Sequence, residues 1–243
     1  MADSKKFRVE VCFSPEEFDL YKQEYKAVVA IDVLRATTAI CTAFQHGAEK
    51  LIPVSTIEEA LEYKGKGYLV GAERNGEIVD GFDFGNSPYS YMGDFVKGKT
   101  LVLSTTNGTK AINRAAKSHE VYIGALVNLD AVIKQFTEHP TDVLLLASGW
   151  QGKFNLEDSI CAGAITEALL DSRKYISDED STIASMFLFQ KARDNYFGFL
   201  KASSHRRRLR NLNLNEDIKY CLTPNQTDVI PVYRDGALVN LAP

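Results

Sequence analysis

Four short stretches concentrate carboxylates, guanidinium groups and small hydroxyl or amide side chains: Asp32 with Arg35, Thr37 and Thr38; Glu73 with Arg74; Thr105, Thr106, Asn107 and Thr109; and Glu157 with Asp158. Carboxylate oxygens without His or Cys beside them suit a hard cation such as Mg²⁺ or Mn²⁺ rather than zinc. Several carboxylates in one place repel one another unless a cation lies among them. Guanidinium groups and N–H-rich turns next to such a cation describe how a phosphoryl group is held. Metal-assisted phosphoester hydrolysis is therefore the reaction class that uses these residue types together. Each cluster also has a plain structural reading, with Arg35 paired to Asp32, Thr37 capping a helix, and Glu157 and Asp158 complementing a helix dipole.

The positioning elements can be read around these clusters. Residues 28–31 are apolar and β-branched, end at Asp32, and are followed from Ala39 to Phe44 by helical spacing. Residues 68–72 form a strand pattern running into Glu73. Residues 100–104 do the same before Thr105-Thr106-Asn107-Gly108-Thr109, and residues 110–116 continue as a helix. A strand, a small polar turn and a helix start present backbone N–H groups to an oxyanion. Residues 142–147 lead through Ser148-Gly149-Trp150-Gln151-Gly152 to a helix opened by Glu157 and Asp158. Further strands are expected at residues 7–13, 49–54 and 121–125, with helix starts at Ser14-Pro15-Glu16 and at Ser55-Thr56. The rhythm predicts a three-layer α/β/α fold with a largely parallel or mixed central sheet. Parallel strands bring their carboxyl ends to one edge, where the clusters should meet.

Length and composition fit a single α/β domain over residues 1–243. Residues 178–210 read as helices rich in Phe and Tyr, a lid or an interface, which makes a homodimer a reasonable expectation. The stretch Ser203-Ser204-His205-Arg206-Arg207-Arg208-Leu209-Arg210 is the one dense basic cluster, a clamp for an anion or a solvated helix face. A net charge of -4 and the lack of aromatic-basic interleaving speak against nucleic acid. Cys12, Cys41, Cys161 and Cys221 lack ligand or disulfide spacing, and no apolar run reaches membrane-span length. A cytoplasmic protein with free buried thiols is expected, closed by a hairpin that turns at Asp235-Gly236.

No Walker loop, GxGxxG fingerprint or GxSxG elbow is present. The ordered series Ile31-Asp32-Val33-Leu34-Arg35-Ala36-Thr37-Thr38, Gly71-Ala72-Glu73-Arg74-Asn75-Gly76, Gly81-Phe82-Asp83-Phe84-Gly85-Asn86-Ser87-Pro88, Thr105-Thr106-Asn107-Gly108-Thr109 and Leu156-Glu157-Asp158-Ser159-Ile160-Cys161-Ala162-Gly163 resembles the 2-phosphosulfolactate phosphatase family. A looser match surrounds Leu209, Asp217-Ile218 and Val229-Ile230-Pro231.

The resemblance implies a Mg²⁺-dependent phosphoric monoester hydrolase that converts 2-phosphosulfolactate to 3-sulfolactate and phosphate, a step toward coenzyme M in organisms that make it. Asp32, Glu73 and Asp158 are then the expected metal ligands, one aspartate being alternatively a nucleophile. Arg35 is expected on the transferring phosphoryl group and Arg74 on the sulfonate or carboxylate. Thr105, Thr106, Asn107 and Thr109 would donate to oxyanions, with Asn86 and Ser87 closing the site. Spacing leaves open whether an aspartyl-phosphate forms or water attacks directly. Two other readings keep the residues but change the function: a phosphatase for another small phosphorylated acid, or a non-catalytic anion-binding protein.

Overall fold

The computed structural model describes residues 5–21, 25–117 and 119–241. Eleven strands among them form one sheet: β1 (Phe7–Cys12), β2 (Ala27–Ile31), β3 (Lys50–Val54), β4 (Leu69–Arg74), β5 (Glu77–Ile78), β6 (Thr100–Ser104), β7 (Glu120–Gly124), β8 (Val143–Ala147), β9 (Tyr175–Ile176), β10 (Pro231–Arg234) and β11 (Ala237–Asn240). The helices are α1 (Ala36–Gln45), α2 (Ile57–Gly65), α3 (Gly108–Ala115), α4 (Leu129–Glu138), α5 (Leu156–Asp171), α6 (Asp180–Ala192), α7 (Tyr196–Phe199), α8 (Ser204–Asn211) and α9 (Asn215–Cys221).

Strand alternation explains the layers. On β2, Val29 and Ile31 enter a core with Val132 and Phe136 of α4 and with Ile160 and Ile165 of α5. Val28 and Ala30 face the other way, onto Ile40 of α1 and Ala111 and Ile112 of α3. Helices thus cover both faces, giving the expected α/β/α sandwich. The capped start of α2 forms as read, with Thr56 Oγ1 accepting from Glu59 N at 3.1 Å and Glu59 Oε2 accepting from Thr56 N at 3.3 Å. The four cysteines are free and buried. The helix expected after Ser14 is instead a 3₁₀ turn at Phe18–Leu20, because Phe18 is buried while Leu20 is 80% exposed and no apolar face develops.

The sheet order is β5-β4-β6-β3-β11-β10-β7-β2-β8-β1-β9. The terminal hairpin is wedged into the middle of the sheet, β11 antiparallel to β3 and β10 antiparallel to β7. It follows that β4, β6 and β3 run opposite to β7, β2, β8, β1 and β9, each set being parallel within itself. A flat sheet so arranged would put the two sets of carboxyl ends on opposite edges. Strands twist by roughly 20–25° each, so five steps from β6 to β2 turn the sets by about 100° or more, and their ends converge. Cross-links record that convergence: Arg35 Nη2 donates to Gly76 O at 2.7 Å, and Gln151 N donates to Asn107 Oδ1 at 3.4 Å.

The helical segment after residue 178 comprises α6, α7 and α8. α6 lies directly on α5 at Gly163, where a Cβ would come within 2.0 Å of Ser185 O.

Candidate active site

A narrow cleft forms where these strand ends meet. Asp32, Leu34 and Arg35 line it from the end of β2, and Glu73, Asn75 and Gly76 from β4 and its turn. The loop after β5 supplies Asn86, the turn after β6 supplies Thr106 and Asn107, and the end of β8 supplies Trp150. α8 closes the opposite wall with His205, Arg208 and Leu209. A larger groove between α2, α3 and the β10–β11 turn is open and its charges pair at the surface, as Arg114 does with Asp19 at 2.9 Å. Buried charge converges in the narrow cleft.

Asp32 is 7% exposed, and no protein hydrogen-bond donor reaches its carboxylate among the described residues. Its backbone is held, with Asp32 N donating to Thr37 Oγ1 at 3.0 Å and Thr37 N to Asp32 O at 3.0 Å. Thr37 is thus turned back to the strand end rather than capping α1. Burial, then the carboxylate of Asp158, push Asp32 up to about 8, with Glu73 and Glu157 adding and His205 opposing. Gly108 makes room for this side chain, since a Cβ there would sit 2.8 Å from Asp32 Oδ2.

Glu73 is fixed by donors. Its carboxylate accepts from Gly76 N, from Asn86 Nδ2 at 3.3 Å and from Thr106 Oγ1 at 3.3 Å. Asn86 spends its amide N–H there, which leaves Asn86 Oδ1 buried and without a donor among the described residues. Arg35 does not pair with Asp32. It binds Asp217 of α9, Nη1 to Oδ2 at 2.6 Å, while Nη2 is held by Gly76 O.

Arg208 differs from Arg35. Its guanidinium carbon lies 4.1 Å from the centroid of the Trp150 ring, and its Nε and Nη2 are buried with no partner among the described residues. Beside it, His205 Nδ1 is 2.7 Å from Oε1 of the buried Glu157, and Ser203 Oγ donates to Glu157 Oε2 at 3.3 Å. Burial alone would push Glu157 up, but the hydrogen bond and charge of His205 hold it below the ordinary carboxylate range.

Other expected site residues are placed behind or beside the cleft. Asp158 Oδ1 accepts from Val33 N at 2.8 Å, and Oδ2 accepts from Asn155 Nδ2 at 2.8 Å and from Gly149 N at 3.2 Å, tying three elements together. Arg74 follows Glu73 on β4 and therefore faces the other side, donating to Glu73 O at 2.6 Å and Ser104 Oγ at 3.0 Å. Thr105 and Thr109 bond each other's backbone, Thr105 N to Thr109 Oγ1 at 3.2 Å and Thr109 N to Thr105 Oγ1 at 3.1 Å. Ser87 lines an adjacent cavity with Arg35, Gly76 and Asn86. No three His, Cys, Asp or Glu side chains among the described residues converge to hold a metal by themselves.

A family model described as 2-phosphosulpholactate phosphatase matches residues 12–236. The chain belongs to the 2-phosphosulfolactate phosphatase family. It is 41% identical over 215 residues to a probable 2-phosphosulfolactate phosphatase of Caldanaerobacter subterraneus subsp. tengcongensis, covering 87% of this chain and 89% of that one. A protein of the same description from Clostridium acetobutylicum is 36% identical over 236 residues, covering 96% of this chain and 100% of the relative. One from Cyanothece sp. is 39% identical over 224 residues, at 88% and 92% coverage. The family match spans both the strand-end motifs and α8, the source of the cleft's second wall.

Trp150, His205, Arg208 and Asp217 were not among the expected site residues. A signal for two of them was present in the basic cluster: His205, Arg208 and Leu209 fall at i, i+3 and i+4, one helix face, whereas Arg206, Arg207 and Arg210 fall on another. No helix of the described residues is long and apolar enough to cross a membrane.

Proposed function

We propose that the protein hydrolyses 2-phosphosulfolactate to 3-sulfolactate and phosphate in the cleft between β2, β4 and α8, with Mg²⁺ as cofactor. The observation that carries this reading is Asp32, a buried carboxylate that no donor among the described residues satisfies, in the same cleft as Asn86, whose Oδ1 lacks a partner, and Arg208, whose Nε and Nη2 lack partners among those residues. Ionising a carboxylate in that state is costly, and a cation relieves the cost. Asp32, Glu73 and Asn86 offer hard oxygen donors, and Mg²⁺ is commonly held by one or two carboxylates with water and substrate phosphate completing its shell. The residues therefore fit Mg²⁺. Asp158, which does not line the cleft, is held by Val33 N, Asn155 Nδ2 and Gly149 N and supports Asp32 from behind.

When bound, the cation would neutralise phosphoryl charge and polarise the bond to be broken. The chain's own groups do the rest. Arg208, pre-oriented on Trp150, offers two N–H groups to an anionic oxygen. Arg35 keeps a fixed positive charge in the wall, its geometry set by Asp217 and Gly76 O rather than by substrate. The Thr106-Asn107 turn faces the same space. Asp32, Arg35, Glu73, Asn86 and His205 are buried in this lining, and the low local dielectric around them strengthens these interactions.

The test is phosphate release from racemic 2-phosphosulfolactate beside 2-phospholactate, phosphoglycolate and p-nitrophenyl phosphate, each with Mg²⁺ and with EDTA. A Mg²⁺-dependent preference for the sulfonated substrate is expected. Equal turnover of all four would keep the phosphatase and remove the substrate assignment, and turnover of none would favour a non-catalytic anion-binding protein.

A further inference from the structure

We propose that His205 is the proton donor to the departing oxygen, and that Glu157 is the residue that positions it. The inference rests on the phosphatase reading above and deepens it. Glu157 sits in the first turn of α5 and is 1% exposed, so its carboxylate cannot serve solvent or substrate. It is directed at one atom of α8, His205 Nδ1, at 2.7 Å. Ser203 Oγ holds its other oxygen, and the imidazole packs on Trp150 with ring centroids 5.3 Å apart. The ring is therefore locked in position and in its Nδ1–H form. Its remaining nitrogen, Nε2, has no hydrogen-bond partner among the described residues, while His205 lines the cleft that Asp32 and Arg208 also line. A histidine kept only for packing has no need of a dedicated buried carboxylate behind it and an unused nitrogen toward a charged cleft.

The groups facing the ring are Glu157 from α5, Asp32 from the end of β2, Arg208 from its own helix and Trp150 from the end of β8. With Nδ1 engaged by Glu157, Nε2 is the ring atom left to carry and release a proton. The leaving group of a 2-phosphorylated acid is a secondary alkoxide, which departs poorly unless protonated. In the step, the P–O bond to that oxygen breaks and its electron pair stays on the oxygen. The Nε2–H bond breaks and its proton moves to the same oxygen, giving the alcohol. The attacking water forms the new P–O bond, and the proton it sheds restores the imidazolium, so the cycle returns His205 unchanged.

A leaving-group series tests this. Wild type, His205→Gln and Glu157→Gln would be assayed with Mg²⁺ on 2-phospholactate and on aryl phosphates from p-nitrophenyl to phenyl. Loss of a general acid costs about 10²–10⁴-fold where the leaving group needs a proton. His205→Gln is expected to lose at least ~100-fold on 2-phospholactate and less than a tenth of that on p-nitrophenyl phosphate, steepening the dependence of kcat/KM on leaving-group basicity. Glu157→Gln is expected to steepen it in the same sense with a smaller loss, a change that a merely structural defect would not produce. Equal losses on all substrates in both variants would overturn the proposal, and if His205→Gln does not fold, the Glu157→Gln series decides alone. A wild-type enzyme that hydrolyses none of the phosphoesters would overturn the phosphatase reading itself.

Discussion

Arg35 Nη1 lies 2.6 Å from Asp217 Oδ2, joining the end of β2 to α9 across 182 positions of sequence. Both side chains are buried, at 4% and 9% exposure. The pair fastens the C-terminal helices to the strand end that carries Asp32, so α8 reaches the cleft in a fixed position. Removing one partner of a buried pair costs about 3–5 kcal/mol, because the other charge is stranded. Asp217→Ala should therefore lower Tm by roughly 6 °C or more and reduce activity, although Asp217 does not line the cleft. An unchanged Tm in thermal unfolding would show that the pair does not bear the load assigned to it.

Asp32→Asn should remove activity and raise stability in cation-free buffer. The folded-state pKa of about 8 lies above the unfolded value, so the folded protein holds a proton that the unfolded chain has lost between about pH 4 and pH 8. Stability from this group falls as pH rises through that window. Asn carries no such cost, so the variant should gain at least about 1 kcal/mol near pH 8, with the gain shrinking as pH falls toward 4. Denaturant melts of both proteins at several pH values read this directly, and a destabilised variant at pH 8 would contradict it.

Mg²⁺ should raise the Tm of the wild-type protein and leave that of Asp32→Asn nearly unchanged. A ligand at about 100 times its Kd adds about 2.7 kcal/mol, roughly 5 °C or more for a chain of this size. Because the cation must displace the proton on Asp32, the shift should diminish as pH falls below about 8. Equal shifts in both proteins would place the cation elsewhere.

Gly108→Ala probes the cleft without deleting a polar group. The added Cβ would meet Asp32 Oδ2 at 2.8 Å and Ala36 Cβ at 2.7 Å. Overpacking costs about 1–3 kcal/mol, and displacing Asp32 should lower kcat/KM by at least ~10-fold. A variant with wild-type kinetics would show that Asp32 can shift without consequence.

Arg208→Gln should weaken substrate binding more than Arg74→Gln does. Arg208 Nε and Nη2 are buried without partners among the described residues, whereas Arg74 is engaged with Glu73 O and Ser104 Oγ on the far face of β4. A lost charge-assisted bidentate contact is worth about 1.5–3 kcal/mol, a rise of roughly 10- to 100-fold in KM. A larger effect from Arg74 would reverse the roles.

Much of the architecture was legible in short-range pattern. The β2–α1 and β6–α3 junctions, the capping box of α2 and the hairpin at Asp235-Gly236 each depend on neighbours within a few residues, and each formed where its residues indicated. Insertion of that hairpin between β3 and β7, and the reversal of strand direction it imposes, depend on pairings such as Leu238 with Leu51 that no local pattern encodes. Asp32, Arg35, Glu73, Asn86, Thr106 and Asn107 do reach one cleft. Arg74 and Glu73 are indistinguishable as a charged pair until strand alternation assigns them to opposite faces. The Arg35 partner was hidden for the same reason as the hairpin, since Asp217 becomes its neighbour only when α9 docks.

The most direct measurement compares phosphate release from racemic 2-phosphosulfolactate by the wild-type protein and by Asp32→Asn, each with Mg²⁺ and with EDTA. Release by the wild type in Mg²⁺ alone, with the other three conditions near background, is the expected result. Release that persists in EDTA, or in Asp32→Asn, would contradict a metal-assisted phosphatase built on Asp32.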